Sequence, residues 1–243
     1  MVNPLEAQSI TKSFGSERVL KELSLVLNNN ETFSILGRSG SGKTTLLKIL
    51  AGLEAPDTGK VLLKGKDILS LSPEKREIVY LYQEALLFPH LNVFENIAFG
   101  LELRKVERKI IKERTDRMID HLQLEGMQEK MPHQLSGGQK QRVSFGRASI
   151  TNPNVLLLDE PFGNLDADTR GDMQQLFKDI AENFNITAVF VTHNIKEAIL
   201  MGDRIAKLEQ GVLKTFSSID EFVKSGDQAI QEEVSFWKSI SKT

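Results

Sequence analysis

A glycine-rich loop lies between an apolar, strand-like segment and a helical segment of this sequence. Residues 37–45 read GRSGSGKTT and match the pattern G-x-x-x-x-G-K-[ST]. Glycines permit a tight loop whose backbone N–H groups point at phosphate oxygens, and the beginning of the next helix adds positive polarity. We therefore expect Lys43 to reach the β- and γ-phosphates of a nucleoside triphosphate and the Thr44 hydroxyl to coordinate Mg²⁺. The loop residues expected to contact the nucleotide are Gly37, Arg38, Ser39, Gly40, Ser41, Gly42, Lys43, Thr44 and Thr45.

Two adjacent carboxylates, Asp159 and Glu160, follow the apolar run VLLL. Ligands of open α/β sheets bind beyond the carboxyl ends of the strands, so both side chains are placed to reach such a crevice. Asp159 suits a carboxylate that holds Mg²⁺ directly or through water, and Glu160 suits a base that polarises the attacking water. A pair of solvated loop acids is the alternative, which the aliphatic run before them and Pro161 after them disfavour.

Two further polar residues end strand-like segments, and the residues alone leave their roles open. His193 ends AVFVTH, where it could contact a γ-phosphate and the attacking water or serve a structural role. Gln83 ends IVYLYQ, where its amide could touch Mg²⁺ or water or merely cap the strand.

The segment LSGGQKQR begins a helix in an unusual way. Ser136 and Gln139 have the spacing of a capping box, in which each side chain bonds the other residue's backbone N–H. Neither Gly137 nor Gly138 is needed for that box, and a glycine inside a helix costs about 1 kcal/mol relative to alanine. A helix N-terminus is also an anion site, and glycine lets backbone approach a ligand closely.

The composition excludes several classes of protein. The formal net charge is −2 at pH 7, so the overall charge does not favour a nucleic-acid partner. Cysteine is absent, which excludes disulfides and thiolate metal sites. The N-terminus lacks the basic and apolar regions of a signal peptide, and no apolar run approaches the roughly 20 residues that span a bilayer. We expect any role at a membrane to depend on a partner.

A basic segment, RKVERKIIKERTDR at residues 104–117, contains more Lys and Arg than acidic residues. Its apolar residues recur at roughly helical spacing, which predicts an amphipathic helix with a solvated basic face. Binding to anionic lipid or nucleic acid is the alternative.

Apolar strand-like runs alternate with helical segments, which predicts an α/β fold whose parallel sheet is covered on both faces. We predict strands at AQSITKSF, LSLVLN, TFSILG, KVLLKGKDI, EIVYLYQ, NVLLLDE, TAVFVTH and RIAKLEQG, and helices near 168–184 and 194–202. The organisation we predict is a single domain over residues 3–240, with a helical insertion at about 88–150 and a helical tail at about 217–240.

In their order and spacing these motifs resemble the ATP-binding subunits of ABC transporters across about residues 3–215. The ordered set is GRSGSGKTT, Gln83 in YLYQEALLFPHLNVFENIAFGL, LSGGQKQR, VLLLDE, GNLD at 163–166 and VTHN. The resemblance implies a P-loop ATPase core with a parallel sheet, an N-terminal antiparallel β-subdomain and an inserted helical subdomain. It also implies that ATP and Mg²⁺ are the cofactors.

The same resemblance implies roles for individual residues. Phe14 resembles the aromatic residue that stacks on adenine, and Gln83 the glutamine that links Mg²⁺ and water to the helical subdomain. Asp166 resembles an aspartate at the subunit interface, and His193 the switch histidine. The residues implied to face ATP held by a second copy of the subunit are Ser136, Gly137, Gly138 and Gln139, so that two chains in a homodimer sandwich two ATP molecules.

The loop ALLFPHLNVFENIAFGL resembles importers of polyamines, ferric iron, molybdate, sulfate and maltose. The resemblance therefore implies a prokaryotic subunit at the cytoplasmic face of the membrane, acting on separate permease subunits and, indirectly, a solute-binding protein. That group usually has a C-terminal β-barrel regulatory domain, whereas only a short segment follows Thr215 here, which leaves the substrate and any C-terminal inhibition open. Smaller departures are NNNE before the P-loop strand, RASI after the signature and HN at the switch histidine.

Two other classes of protein agree less well with the sequence. A soluble ABC-type ATPase acting on nucleic acid or ribosomes would normally need a coiled-coil insertion or a second ATPase copy, and the sequence has neither. A P-loop kinase or GTPase would have no use for LSGGQ or His193, and the chain lacks an N/T-K-x-D base-reading motif.

Overall fold

The computed structural model describes residues 2–226 and 230–232. It forms two compact units, one made of the described residues up to Arg76 and from Ala188 onward, the other of Glu77–Thr187. None of the described helices is both long enough and apolar enough to cross a bilayer.

The order of strands and helices follows the predicted alternation. The strands are β1 (Leu5–Phe14), β2 (Glu17–Val26), β3 (Thr32–Leu36), β4 (Thr58–Leu63), β5 (Lys66–Asp67), β6 (Ile78–Leu81), β7 (Val155–Asp159), β8 (Ala188–Thr192), β9 (Arg204–Glu209) and β10 (Val212–Phe216). The α-helices are α1 (Lys43–Ala51), α2 (Val93–Leu103), α3 (Arg108–His121), α4 (Gly137–Ser149), α5 (Ala167–Asn183), α6 (Ile195–Met201) and α7 (Ile219–Val223). Short 3₁₀ turns occur at Pro73–Lys75 and Pro132–Gln134.

The first unit contains both kinds of sheet that were predicted. Strands β2, β1, β4 and β5 form an antiparallel sheet in that order. Strand β3 runs parallel to β8 on one side and to β9 on the other, and β10 pairs antiparallel with β9. All five residues of β3 and all five of β8 are buried, as expected for parallel strands with both faces covered.

The turn NNNE before β3 keeps its shape without glycine. Asn30 adopts φ 58°, a left-handed conformation that asparagine tolerates better than most residues. The buried Glu31 carboxylate accepts hydrogen bonds from the backbone N–H and the amide of Asn28, at 2.6 and 2.9 Å. With NNNE in place of a glycine-containing turn, β3 still pairs with β8 and β9 in the sheet.

In the second unit β6 and β7 pair in parallel, and α2, α3 and α4 lie within the predicted helical segment at about 88–150. Helix α3 buries Ile111, Thr115, Met118 and Ile119, and its basic residues are exposed. Ion pairs between residues four apart, Lys112 with Asp116 and Arg117 with Glu113, lie on the exposed face. The amphipathic helix predicted for this basic segment is confirmed.

The predicted strands and helices are confirmed with small shifts at their ends, except that KVLLKGKDI, predicted as one strand, forms β4 and β5 with a turn between them. Strand β2 begins earlier than the LSLVLN segment because its exposed first half pairs with β1 through the Gly15 turn. In the predicted tail the structure contains α7 and a helical turn at 230–232, and the rest of 217–240 lies partly outside the described residues. Phe222 and Ile230 of this segment are buried in a cluster with Leu36 and Ala198.

Arg76 is a buried cation that holds the end of α1. Its guanidinium donates to the carbonyls of Ile49 and Leu50 at 2.9 and 3.2 Å, and to those of Leu69 and Leu71 at 3.1 and 3.0 Å. A cation at a helix C-terminus satisfies carbonyls that lack partners inside the helix and interacts favourably with the helix dipole. Helix α1 follows the P-loop. Arg76 therefore fixes the C-terminal end of the helix whose N-terminal end adjoins the P-loop.

Replacing Arg76 with Met removes these donors and should lower the free energy of unfolding by roughly 2–4 kcal/mol, because buried carbonyls lose charged partners. Urea denaturation measures the change. Arg18→Met is the matched control: Arg18 is half exposed and pairs with exposed Glu22, so the change should be about 0.5 kcal/mol or less. Equal effects of the two substitutions would contradict this role of Arg76.

Candidate functional site

The P-loop of the first unit is held against the end of the parallel strands. The Gly37 N–H donates to the Thr192 carbonyl at 3.1 Å, which continues the pairing of β3 with β8. A Cβ at Gly37 would lie 2.5 Å from Ser41 Oγ and 2.7 Å from the Leu208 carbonyl oxygen. Only glycine fits here, because the loop turns back between strand and helix.

The loop presents polar groups suited to an anion. Ser41 Oγ is buried and has no hydrogen-bond partner among the described residues. Lys43 is buried and donates from Nζ to the carbonyls of Gly37 and Arg38 at 2.8 and 3.1 Å, so its charge lies inside the loop. Helix α1 begins after Gly42, and within the described residues neither a side-chain cap nor an acidic first-turn residue offsets its dipole. These groups fit a phosphate chain.

His193 lies at the same strand edge as the P-loop, as predicted, because Leu36 and Thr192 are opposite each other in the β3–β8 pair. His193 is exposed, and its chain neighbours Thr192 and Asn194 are held by hydrogen bonds. The buried Glu197 carboxylate accepts from the Thr192 hydroxyl at 2.7 Å, and Asn194 Oδ1 caps α6 by accepting from the Glu197 N–H at 3.1 Å. Asn194, which follows the histidine here, therefore supplies the capping oxygen of α6.

Phe14 ends β1 and is half exposed, so part of its ring is accessible to a partner. The Lys12 ammonium lies 5.0 Å from the ring centroid. This geometry is compatible with the stacking role that the resemblance implies.

In the second unit, Asp159 and Glu160 lie at the carboxyl end of β7. The Tyr80 hydroxyl donates to Asp159 Oδ2 at 2.6 Å. Burial, followed by this hydrogen bond and the nearby charge of Asp159, raises the pKa of Tyr80 well above its ordinary value, so the hydroxyl stays a donor. Glu160 has φ 45°, and its carbonyl accepts from the Gly163 N–H at 3.1 Å. The chain thus turns sharply at Glu160, directly after the strand.

Gln83 lies at the same edge of the β6–β7 pair as the carboxylates, since Leu81 is opposite Leu158. Its Nε2 donates to Asn164 Oδ1 at 3.3 Å and lies 2.8 Å from the place of a Cβ on Gly163. The amide therefore bonds to the segment that follows Glu160.

The signature segment has the predicted capping box. The Gln139 N–H donates to Ser136 Oγ at 3.3 Å, and the Ser136 N–H donates to Gln139 Oε1 at 3.0 Å. The two glycines differ. A Cβ on Gly138 would lie 2.6 Å from Thr169 Cγ2, whereas among the described residues nothing comes within 4 Å of a Cβ on Gly137. Packing inside the chain therefore explains Gly138 but not Gly137.

Asp166 begins α5 and has a structural role that the sequence did not reveal. Its carboxylate accepts from the Thr169 N–H at 3.0 Å and caps the helix. Hydrogen bonds from the Thr169 backbone and hydroxyl lower the pKa of this exposed carboxyl. The interface role implied by the resemblance stays a prediction.

Helix α4 contacts the segment after Glu160 and the segment after Gln83. It does so through two residues that sequence reasoning missed. Gln141 is buried and donates to the Pro161 carbonyl at 2.8 Å. Arg147 donates to the Leu86 carbonyl at 2.6 Å, and its guanidinium lies 4.7 Å from the Phe88 ring centroid. Sequence reasoning also missed Tyr80, because the pairing of β6 with β7, not motif spacing, brings it next to Asp159.

The donor set fits Mg²⁺ better than a metal caged by protein. Among the described residues, no group of three or more His, Asp or Glu side chains is arranged to hold a metal ion. Mg²⁺ usually binds one or two carboxylates together with substrate phosphates and keeps several waters. The Asp159 carboxylate at the end of β7 is a group of the kind that this pattern uses.

Comparison with known proteins decides the family. The family model described as ABC transporter matches residues 20–163, which include the P-loop, Gln83, the signature segment and both carboxylates. The chain belongs to the ABC transporter family. His193 lies beyond the matched part of this ABC transporter domain.

Several curated relatives of this ABC transporter domain are named as import ATP-binding proteins. The chain is 47% identical over 207 residues to the spermidine/putrescine import protein PotA of Aggregatibacter actinomycetemcomitans, covering 85% of this chain and 56% of the relative. It is 45% identical over 204 residues to the sulfate/thiosulfate import protein CysA of Thermosynechococcus vestitus, covering 84% and 61%. It is 41% identical over 233 residues to the molybdate/tungstate import protein WtpC of Pyrococcus horikoshii, covering 96% and 67%. The chain thus spans little more than half the length of the first of these relatives.

The two signature glycines give a matched pair of substitutions. Gly138→Ala should lower the free energy of unfolding by about 1–3 kcal/mol, because the new methyl group overlaps Thr169. Gly137→Ala should leave stability unchanged or raise it by up to about 1 kcal/mol, because alanine favours the helix and has open space. Thermal or urea unfolding of both variants checks the contrast. Equal destabilisation by both would show that packing inside the chain explains both glycines.

Proposed function

We propose that this chain binds and hydrolyses Mg·ATP and thereby powers import of a small solute through separate membrane subunits. The observation that carries the proposal is that relatives with different solutes in their names are all called import ATP-binding proteins, and that the chain's P-loop fits a phosphate chain. The solute class we propose is a polyamine, a metal ion or an oxyanion.

In the proposed reaction the candidate site residues have different roles. Backbone N–H groups of the P-loop and Lys43 hold the phosphates, and Phe14 stacks on adenine. Thr44, Gln83 and Asp159 hold Mg²⁺, which when bound neutralises charge on the phosphate oxygens. Glu160 accepts a proton from the attacking water, and His193 contacts the γ-phosphate and that water.

Glu160→Gln should retain ATP binding and lower turnover by about 10²–10⁴-fold, because the amide keeps the shape but cannot accept the proton. A fluorescent ATP analogue measures binding, and phosphate release measures turnover. Asp168→Asn, an exposed acid in the first turn of α5, is the control and should leave both quantities unchanged. Wild-type turnover by Glu160→Gln would exclude Glu160 as the base.

We further propose that two copies of the chain bind ATP between them, each signature segment facing the ATP of the partner. Support comes from Gly137, which is open and exposed, so its missing side chain serves contact with something outside the chain. Helix α4 begins with an uncharged, glycine-rich first turn, which favours an anion.

A mixed dimer tests this arrangement. One chain carries Ser136→Arg and the other Lys43→Ala, so that in the sandwich both defects fall on a single ATP site and one intact site remains. Turnover should be close to half that of the wild-type dimer, whereas each homodimer of a single variant should be nearly inactive. A mixed dimer as inactive as the two homodimers would contradict the exchange of signature segments.

The assembly we propose is peripheral at the cytoplasmic face of a prokaryotic membrane, with permease subunits as direct partners and a solute-binding protein as an indirect one. Reconstitution with the permease subunits in vesicles should give ATP-dependent solute uptake that Glu160→Gln abolishes. ATP turnover that is unaffected by the permease but stimulated by nucleic acid or ribosomes, with salt-sensitive binding, would favour the soluble ABC-type ATPase instead.

A further inference from the structure

We infer that Tyr80 is a positioning residue for the Asp159 carboxylate and thereby strengthens the binding of Mg²⁺ in the nucleotide complex. The inference rests on the proposed function, because it concerns the cation that accompanies ATP. It is carried by one short hydrogen bond, from the Tyr80 hydroxyl to Asp159 Oδ2 at 2.6 Å.

Strand pairing places the two side chains together. Tyr80 of β6 lies opposite Leu157 of β7, and Asp159 is two residues further along β7. Residues two apart on a strand point to the same face, so Leu157 and Asp159 share a face of the pair. The Tyr80 side chain leans along the strand to reach the carboxylate.

The Tyr80 ring is itself held in place. Its centroid lies 4.6 Å from that of Tyr82, with the ring planes inclined by 55°. Tyr80 is partly buried, whereas Tyr82 is 42% exposed. A rigid aromatic ring with its hydroxyl at a fixed position is a more exact support for a carboxylate than a water molecule or a flexible side chain.

The orientation of the carboxylate matters for this cation. The terminal torsion of aspartate is broad, so an unsupported carboxylate samples many orientations. Mg²⁺ demands nearly ideal octahedral geometry and dehydrates reluctantly, so ligand orientation affects its affinity strongly. Hydrogen bonds from outer residues to metal ligands commonly change metal affinity by about 10–100-fold.

The competing interpretation is that Tyr80 only ties β6 to β7. A structural tie would affect nucleotide binding with and without Mg²⁺ to the same extent. A positioning role would affect only the Mg²⁺-dependent part.

The decisive experiment compares Tyr80→Phe with the wild-type full chain, using a fluorescent ATP analogue in EDTA and in a Mg²⁺ titration. We expect the Kd in EDTA to be unchanged and the Mg²⁺ concentration for half-maximal effect to rise about tenfold. Tyr82→Phe is the matched control and should change neither quantity. An unchanged Mg²⁺ titration, or equal weakening in both conditions, would overturn the inference.

A second measurement keeps Tyr80 intact and so does not depend on the folding of the Phe variant. The chain has two tyrosines, so Tyr82→Phe leaves Tyr80 as the only one. Adding Mg²⁺ to the ATP-bound variant should perturb the near-UV absorbance of Tyr80, because the acceptor of its hydrogen bond engages a cation. No perturbation on Mg²⁺ binding would overturn the inference. A wild-type chain that binds no ATP would instead overturn the proposed function on which the inference rests.

Discussion

Parallel strand pairing is the constraint on which the site depends. Leu36 is opposite Thr192 in one unit, and Leu81 is opposite Leu158 in the other. In each pair the candidate site residues lie at the strand ends or within two residues of them, so a slip of one residue would move them to the wrong height and the wrong face. The continuous burial of β3 and β8 makes such a slip costly, because polar neighbours would replace buried apolar side chains.

Close packing inside the chain explains Gly37 and Gly138 but not Gly137. Gly37 is required by the chain's own fold, since a side chain there would strike Ser41 and the Leu208 carbonyl. A side chain on Gly138 would strike the Thr169 methyl group, a side-chain neighbour rather than a backbone one. Gly137 has no such neighbour among the described residues, so packing inside the described part of the chain does not account for its cost in helix propensity. Under the proposed function, ATP held by a partner subunit would account for this glycine.

Helix α4 joins the signature segment to two loops of its unit. It begins at the signature, bonds the Pro161 carbonyl through Gln141 and bonds the Leu86 carbonyl through Arg147. Burial lowers the pKa of Arg147, but its guanidinium keeps aromatic and carbonyl partners. A helix that begins at the signature and makes these two contacts links the position of the signature to the segments after Glu160 and Gln83.

The sequence by itself determined the α/β alternation, the P-loop and the capping box at Ser136, because these depend on local spacing and hydrophobic period. Its ordered motifs also carry the resemblance to the family. Only the tertiary structure decided that Tyr80 supports Asp159 and that Gly138 packs against Thr169. It also decided that Asp166 caps α5. The first two contacts join residues far apart in the sequence, and the cap depends on the conformation of the turn before α5. Neither kind of contact leaves a periodic signal along the chain.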